Sequence, residues 1–588
     1  MPTSLYDSAA GDTLTLQAPS RNFPPKFFYP SPGDWRDLWI YFLLIDRFNN
    51  PAAPPTPNDY PCNVYQGGKF SGIKQQLPYL KDLGVGAIWL SPVLMNPQWF
   101  KDYWGGYGIL DFLRIEPRFC MDEAAARQDP AVADQEFRDL VDAAHAQGIY
   151  IILDIVLNHV GDLFNYEGMR DAAPWKTGGE YTIYWRNESG VPQGNWTDIG
   201  QLSNLSREAG VWPLEFQHND YFRRRGAYEK SPDPTRGDFD RLKELVTEYL
   251  IPGTNLYPVR NHLIRAYQYL IAKFDLDGFR IDTLQYVEAD FARVFGNAMR
   301  EFALSIGKKN FFTFGEVWQD DNEEKIAEFV GRNTQKDDEL IGVDAAIDFP
   351  VCKRLVQAVK GFAPPSDLAN HLDYRRQVLK KYVSSHGDAG GHYITFLENH
   401  DLNERFHNKA FPDQTKLALT CLMTLQGIPC IYYGIEQGLD GHGDRREYVR
   451  EALWGRQDPF STNSEFYKHI QELSKLRNEH PALRYGRQYF RQCSGDGINF
   501  GYSPYNGGVI AYSRILNDRE VLIVANTSTQ QQITVHIVVD ANLSPVDKKW
   551  SILFSTQAQP TAPSKTQTHG SFHAVQVTLK PMEAQILE

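Results

Sequence analysis

Four short segments of this 588-residue chain gather the side chains that could do chemistry. Asp154-Ile-Val-Leu-Asn158-His159 carries an acid and a histidine, and Gly278-Phe-Arg280-Ile-Asp282 places an arginine two residues before an acid. Phe314-Gly-Glu316-Val-Trp318 and Leu397-Glu-Asn399-His400-Asp401 complete the set. Carboxyl, imidazole and guanidinium groups that share one pocket can hold charge and divide proton-transfer roles among themselves. Taken singly, an Asp after an apolar run commonly caps a helix or starts a turn. Four such segments in order, each closing an apolar run, are harder to read as caps. Neither HxH nor HExxH spacing occurs, so the histidines form no recognisable metal motif.

These segments need elements that aim them at one place. Apolar runs fall at Leu38–Ile45, Val85–Ser91, Ile149–Val156, Leu276–Asp282, Phe311–Val317, Gly342–Phe349, His392–Leu397 and Ile428–Tyr433. Most are followed by a helical pattern, which is the arithmetic of an α/β fold of the (β/α)8 TIM-barrel type. An open doubly wound sheet would have similar runs. In a barrel, all four segments sit at C-terminal strand ends, where such folds assemble their sites. The stretch after Val160 is long, rich in Trp, Gly and Asn, and without period, so it reads as an inserted subdomain after strand 3. Helical patterning resumes at Phe239-Asp-Arg-Leu-Lys-Glu-Leu245. Beyond about Tyr485, short β-rich runs at Val509–Ser513, Val521–Ala525 and Ile533–Val539 predict a C-terminal antiparallel β-sandwich. The expected division is an N-terminal arm over 1–34, the barrel over 35–160 and 237–485, the insert over 161–236 and the sandwich over 486–588.

Composition bounds the function. The formal charge is −13 and repels phosphate backbones, so nucleic acid is not an expected partner. With 42% hydrophobic and 23% charged residues the chain is of ordinary globular composition. Aromatic residues reach 13%, which suits sugar-binding clefts and large cores alike. Cys62, Cys120, Cys352, Cys421, Cys430 and Cys493 are scattered, with no paired or metal-type spacing. Met1–Ser20 has neither a basic nor a continuous apolar region of a secretory leader. Leu417–Ile435 is uncharged and approaches membrane-spanning length but is broken by Gln426-Gly427-Ile428-Pro429, so it reads as a helix and then a buried strand. A cytoplasmic protein with no membrane partner is the expectation. Nothing indicates an oligomeric state.

The ordered segments DIVLNH, GFRID, FGEVW and ENHD resemble the four conserved regions of the α-amylase family, glycoside hydrolase family 13. The GGYGILDF segment around Tyr107, Gly427-Ile-Pro-Cys-Ile-Tyr-Tyr-Gly-Ile-Glu-Gln-Gly438 and Arg450-Glu-Ala-Leu-Trp-Gly455 add to the likeness, which runs over roughly residues 38 to 485. The resemblance implies Asp282 as nucleophile, Glu316 as acid/base and Asp401 as the third carboxylate, holding sugar hydroxyls. Retaining cleavage of a glycosidic bond needs two carboxyls about 5–5.5 Å apart with different proton affinities. Arg280, two residues before Asp282 on the same strand face, can pair with it, and Asp154 would support Arg280. Negative neighbours and a dry pocket would raise the proton affinity of Glu316. By the same resemblance His159 and His400 bind the sugar and Tyr107 stacks beneath it. Asp111 and Arg450 fall near the innermost subsite.

Two departures narrow the expectation. Gln285 and Tyr286 stand where many members carry Lys-His, and Trp318 is similar to members acting on maltooligosaccharides and cyclodextrins. Lys69 follows Gly67-Gly68, which argues against one calcium site of the family. Asn158 matches a calcium ligand of another subgroup, so calcium is left open and no cofactor is required. The expected function is a retaining glycosidase that cleaves α-1,4-glucosidic bonds in α-glucans or oligosaccharides. The alternatives are a 4-α-glucanotransferase or other transglycosylase, a sucrose- or trehalose-active enzyme, and a non-catalytic glycan-binding homologue.

Overall fold

The computed structural model describes residues 3–5, 28–55, 64–101, 104–169, 172–199, 205–233, 235–333, 342–383 and 389–588. Cys62 and most of the expected N-terminal arm lie outside them. Eight parallel strands form the centre: β1 Ile40–Leu43, β2 Ala87–Leu90, β3 Tyr150–Val156, β4 Gly278–Asp282, β5 Phe312–Gly315, β6 Ala345–Ala346, β7 Ile394–Thr395 and β8 Ile428–Tyr432. They pair in the order β6-β5-β4-β3-β2-β1-β8-β7. A parallel bridge between Ile347 and Ile394, with Asp348 N–H donating to Ile394 O at 2.9 Å, brings the two outer strands together. The sheet is thus a nearly closed barrel and not an open doubly wound sheet.

The apolar runs are strands because both of their faces are covered. All four residues of β1 and of β2 are buried. That is the condition under which parallel strands read as continuous hydrophobic runs instead of alternating. Leu77–Leu83 forms a helix that ends on Gly84 at φ +97°, a left-handed cap that turns the chain into β2. The uncharged stretch after Leu417 divides as its sequence predicts, into the helix Pro412–Thr424 and then β8. Among the described residues no helix is long and apolar enough to cross a membrane.

The helix expected at Phe239–Leu245 does not form. Lys243–Glu244 instead pairs antiparallel with His159–Val160, and the next α-helix begins at Pro258 and runs to Phe274. Tertiary charge pairing overrides the local pattern. The buried Lys243 amine lies 3.3 Å from Asp238 Oδ2, and Glu244 Oε1 accepts from Arg223 Nη2 at 2.8 Å. Residues 237–257 therefore run with the insert. A second short pair, Phe164–Tyr166 with Ile183–Trp185, packs rings of Phe164, Trp185 and Phe222 within 5.1–5.8 Å of one another.

Beyond the barrel, Arg487–Phe490, Val509–Leu516, Arg519–Asn526, Ala584–Leu587 and Ile552–Ser555 make one antiparallel sheet. Cys493–Ser494, Ile533–Val539, Phe572–Leu579 and Gln567–His569 make a second. Val509 and Ala511 of the first sheet cluster with Ile537, Val575 and Val577 of the second. The alternate residues Ile510 and Tyr512 join the core of the barrel. Period-two alternation thus ties the first sheet to both neighbours. The seam is also hydrogen-bonded: Thr424 Oγ1 and Tyr512 OH lie 2.6 Å apart, and Arg514 Nη1 donates to Thr424 O at 2.6 Å.

Candidate active site

The C-terminal ends of β3, β4 and β5 bring Asp154, Asp282 and Glu316 around one fully buried guanidinium. Arg280 Nη1 donates to Asp154 Oδ1 at 2.9 Å and to Asp282 Oδ1 at 2.8 Å. Its Nη2 lies 3.1 Å from Glu316 Oε2. Residues i and i+2 on a strand share a face, which is why Arg280 and Asp282 reach the same space. Asp154 further accepts from Trp89 Nε1 at 3.2 Å and Tyr107 OH at 2.9 Å. It braces the cluster from below.

The turn after β4 completes the placement of Glu316. Thr283 has φ +48°, a left-handed conformation costly for a β-branched residue. In that conformation its N–H donates to Glu316 Oε2 at 2.9 Å. Gly315 is needed just before Glu316, because a Cβ there would come within 2.1 Å of Leu284 Cδ2. Burial pushes the Glu316 carboxyl up, Arg280 pulls it down, and Asp282 and Asp401 push it up again, to about 8. It therefore keeps its proton near neutral pH.

Asp401 follows β7 and faces the same space. Burial pushes its carboxyl up, yet His400, Arg450, Arg446 and Arg280 together hold it down to about 2. Arg450 Nη2 donates to Asp401 Oδ1 at 3.0 Å, and Arg446 Nη1 does so at 3.3 Å. Burial lowers His400 to about 3, so its imidazole is neutral. His400 Nε2 lies 2.9 Å from Tyr107 OH and 3.3 Å from Asp401 Oδ2. His159 Nε2 is buried with no hydrogen-bond partner, and burial lowers that imidazole too. A neutral imidazole with a free nitrogen is a donor or acceptor in waiting.

These groups open on a cleft of about 240 Å3. Asp282, Glu316, Asp401, Tyr107, His159, His400, Gln285, Trp318 and Arg450 all line it. Two expected substrate-binding residues do not line it. Asp111 does not reach the cleft; it is fully buried, pairs with Arg207, and accepts from Leu113 N–H at 3.0 Å. Arg280 is also fully buried, so it acts through its carboxylates instead of touching a substrate. Sequence reasoning missed Trp104, Arg446, Phe239 and Leu242, which line the cleft as well. Trp104 sits three residues before Tyr107 and Arg446 four before Arg450, so motif proximity could have found them. Phe239 and Leu242 lie in the stretch whose pattern predicts a helix of the barrel, which hides that they run with the insert and wall the cleft. Phe239 stacks on Tyr228 with ring centroids 5.1 Å apart and meets Tyr286 edge-on at 5.7 Å.

Among the described residues no cluster of three His, Cys, Asp or Glu could hold a metal. The Asn158 side-chain Nδ2 lies 3.4 Å from His159 Nδ1, and the Asn158 backbone carbonyl accepts from Leu245 N–H at 2.9 Å. Asp162, four residues on, is already faced by Arg186 Nη2 at 3.1 Å, Arg241 Nε at 3.3 Å and Lys243 Nζ at 3.6 Å. Lys69 is likewise engaged, donating to Arg118 O at 2.8 Å.

Comparison with known proteins gives three findings. The family described as "Alpha amylase, catalytic domain" matches residues 25–455. Among curated relatives, the alpha-amylase of Streptomyces lividans is 26% identical over 496 residues, covering 76% of this chain and 49% of its own length. The chain thus spans about half of that relative. The cyclomaltodextrinase of Thermoanaerobacter pseudethanolicus is 24% identical over 554 residues, covering 90% of this chain and 78% of its own. The crystal structure of an alpha-amylase from Geobacillus thermoleovorans complexed with acarbose shares the fold, with a TM-score of 0.63 at 23% identity over 95% of this chain and 99% of that one.

Proposed function

Because the chain belongs to the α-amylase family, we propose that it cleaves α-1,4-glucosidic bonds in maltooligosaccharides and related α-glucans through a covalent glucosyl intermediate. The observation that carries this reading is the single buried Arg280 spanning Asp282 and Glu316. It holds two carboxyls side by side while Glu316, at about 8, retains its proton. Asp282 attacks the anomeric carbon of the bound sugar. As that bond forms, the bond to the glycosidic oxygen breaks and Glu316 gives that oxygen its proton. Water then enters, loses a proton to the Glu316 carboxylate, and displaces Asp282 from the sugar. Asp401, held ionised, and the neutral imidazoles of His159 and His400 bind the hydroxyls of the same ring. Tyr107, oriented by its bond to Asp154, supports one face of that ring.

A second reading has an observation in its favour. The cleft wall carries Trp318, Phe239 and Tyr286 beside Gln285, which is an apolar surface for an incoming sugar. If a sugar hydroxyl intercepts the intermediate in place of water, the enzyme is a 4-α-glucanotransferase. Product analysis with maltose through maltoheptaose, cyclodextrin, sucrose and starch tests both. Hydrolysis produces glucose and short fragments with a net gain of reducing ends. Early products longer than a single input sugar mark transfer. No turnover of any α-glucan by the folded chain overturns the proposal.

A further inference from the structure

We infer that a cavity at the seam of the barrel and the C-terminal sheet binds a phosphate monoester carrying a sugar or nucleoside ring. The cavity measures about 370 Å3, the size of a small-ligand pocket. It lies between the helix Pro365–Leu379 and the strand Arg487–Phe490. Gln426, which lines it, stands two residues before β8. The cavity is therefore at the N-terminal end of the barrel strands, opposite the carboxylates of the cleft.

Its wall offers donors and no acid. Arg375, Arg376, Lys380 and Gln488 line it, and among the described residues no carboxylate does. Arg375 is already spent on Glu323 and Asp348. Arg376 Nη2 donates to Gln488 O at 2.7 Å, and its ion-pair partner among the described residues is Asp373, no closer than 3.9 Å. Lys380 Nζ donates to the neutral Gln377 Oε1 at 2.6 Å. Gln488 is only 4% exposed, and its Oε1 accepts from Gln426 N–H at 2.7 Å. That bond fixes the amide, so Nε2 presents two N–H donors, and among the described residues no group accepts either. Buried donors left unmet are costly, and the oxygens of an anion would meet them.

Two buried guanidinia stand behind the same wall. Arg514 lies opposite Gln488 in the strand ladder, on the same face. It donates to the carbonyls of Gly486 at 3.1 Å, Thr424 at 2.6 Å and Arg484 at 3.3 Å. Arg477 donates to Leu483 O at 2.8 Å and to the carbonyl of Gly427, next to Gln426, at 3.3 Å. Among the described residues no carboxylate pairs with either arginine. Burial, with Arg514 and Arg484 nearby, pulls the Arg477 guanidinium down to about 9. Uncompensated buried charge is destabilising, so a negative ligand in the adjoining cavity is favoured. A phosphate monoester brings close to two negative charges near neutral pH, together with several acceptor oxygens. Tyr382 and Phe490 complete the lining and give a ring-bearing ester an apolar surface to lie against.

Titration calorimetry with inorganic phosphate, glucose 1-phosphate and AMP tests this, with glucose and adenosine as uncharged controls at matched ionic strength. The esters should bind saturably, about tenfold more tightly than inorganic phosphate, and the controls not at all. If one ester alone binds, it identifies the ring. Two variants, shown by thermal melts to fold, locate the site. Arg376→Gln combined with Lys380→Gln should weaken ester binding at least about tenfold. Gln488→Glu sets a carboxylate beside Arg514, so it should abolish ester binding without lowering the melting temperature. Ester binding that survives both variants, that the uncharged controls match, or that never saturates overturns the anion assignment. Inorganic phosphate binding as tightly as the esters overturns the ring. None of these results bears on turnover of α-glucans in the cleft.

Discussion

The two ends of strand β4 hold buried acids in opposite ways. At its entry, Asp275 and Asp277 share the Lys308 amine, with Lys308 Nζ 2.9 Å from Asp277 Oδ1. Asp277 Oδ2 also takes His145 Nε2 and Ile151 N–H, each at 2.8 Å. Burial pushes the Asp277 carboxyl up, but Lys308 and His145 hold it below the usual carboxylate range. At its exit, Asp154, Asp282 and Glu316 divide one arginine, and Glu316 is driven up to about 8. The strand is five residues long, so burial is common to both ends. What differs is the supply of cations. Acids matched by cations make a fixed clamp, while acids in excess of cations keep a proton that chemistry can use.

The largest expected effect comes from removing that proton. Glu316→Gln should lower kcat on maltooligosaccharides by about 10²–10⁴-fold, and much less on an aryl glycoside whose leaving group needs no acid. Equal losses on both substrates would mean that Glu316 does not protonate the leaving oxygen. At the entry of the strand the expected damage is to stability instead. Lys308→Met leaves two buried carboxylates short of a cation and should cost about 3–5 kcal/mol in denaturant titration. The pH–rate profile of the surviving folded fraction should not move. A shifted profile would show that the two ends are coupled.

pH separates the ends further. Glu316 binds its proton more tightly in the folded chain than in the unfolded one, where it titrates near 4.5. Folding is therefore progressively disfavoured by this group as pH rises from about 4.5 to about 8. Glu316→Gln should melt at a higher temperature than wild type above pH 8, with the difference vanishing below pH 4. Asp277 has the opposite sign: its contribution is present above pH 3.8 and is lost as pH falls toward its lower folded value. Asp277→Asn should thus destabilise at neutral pH and become neutral in strong acid. Activity should fall on a basic limb near pH 8 as Glu316 ionises.

The smallest expected effect is at the junction of barrel and insert. With Lys243, Arg186 and Arg241 facing Asp162, chelation by EDTA should leave both melting temperature and turnover unchanged. A drop restored by added calcium would show that these side chains do not substitute for a metal.

Much of this was legible in the sequence for identifiable reasons. The barrel strands were readable because parallel strands covered on both faces leave unbroken apolar runs, and all eight runs begin within three residues of their strands. The strand expected over Gly342–Phe349 is confined to Ala345–Ala346, because only those two residues keep the ladder to β5. The carboxylates were found through four ordered motifs. Asp111 was not correctly placed, because its motif position says nothing of Arg207, which reaches it across 96 residues. Phe239–Leu245 was misread because its alternating charges suit a helix until Asp238 and Asp162 draw Lys243 into a buried ladder.

Apolar runs and their spacing determined the eightfold strand count and the end of the barrel at which four acid-bearing segments gather, while the likeness of those segments to the α-amylase family singled out Asp282, Glu316 and Asp401. These follow from local hydrophobic burial and from short motifs, both written in neighbouring residues. Only the tertiary structure decided how one buried Arg280 is shared among Asp154, Asp282 and Glu316, and which aromatic rings from the insert wall the cleft. Those properties depend on charges and surfaces brought together from distant parts of the chain, and Coulomb forces and packing act through space, not along the sequence.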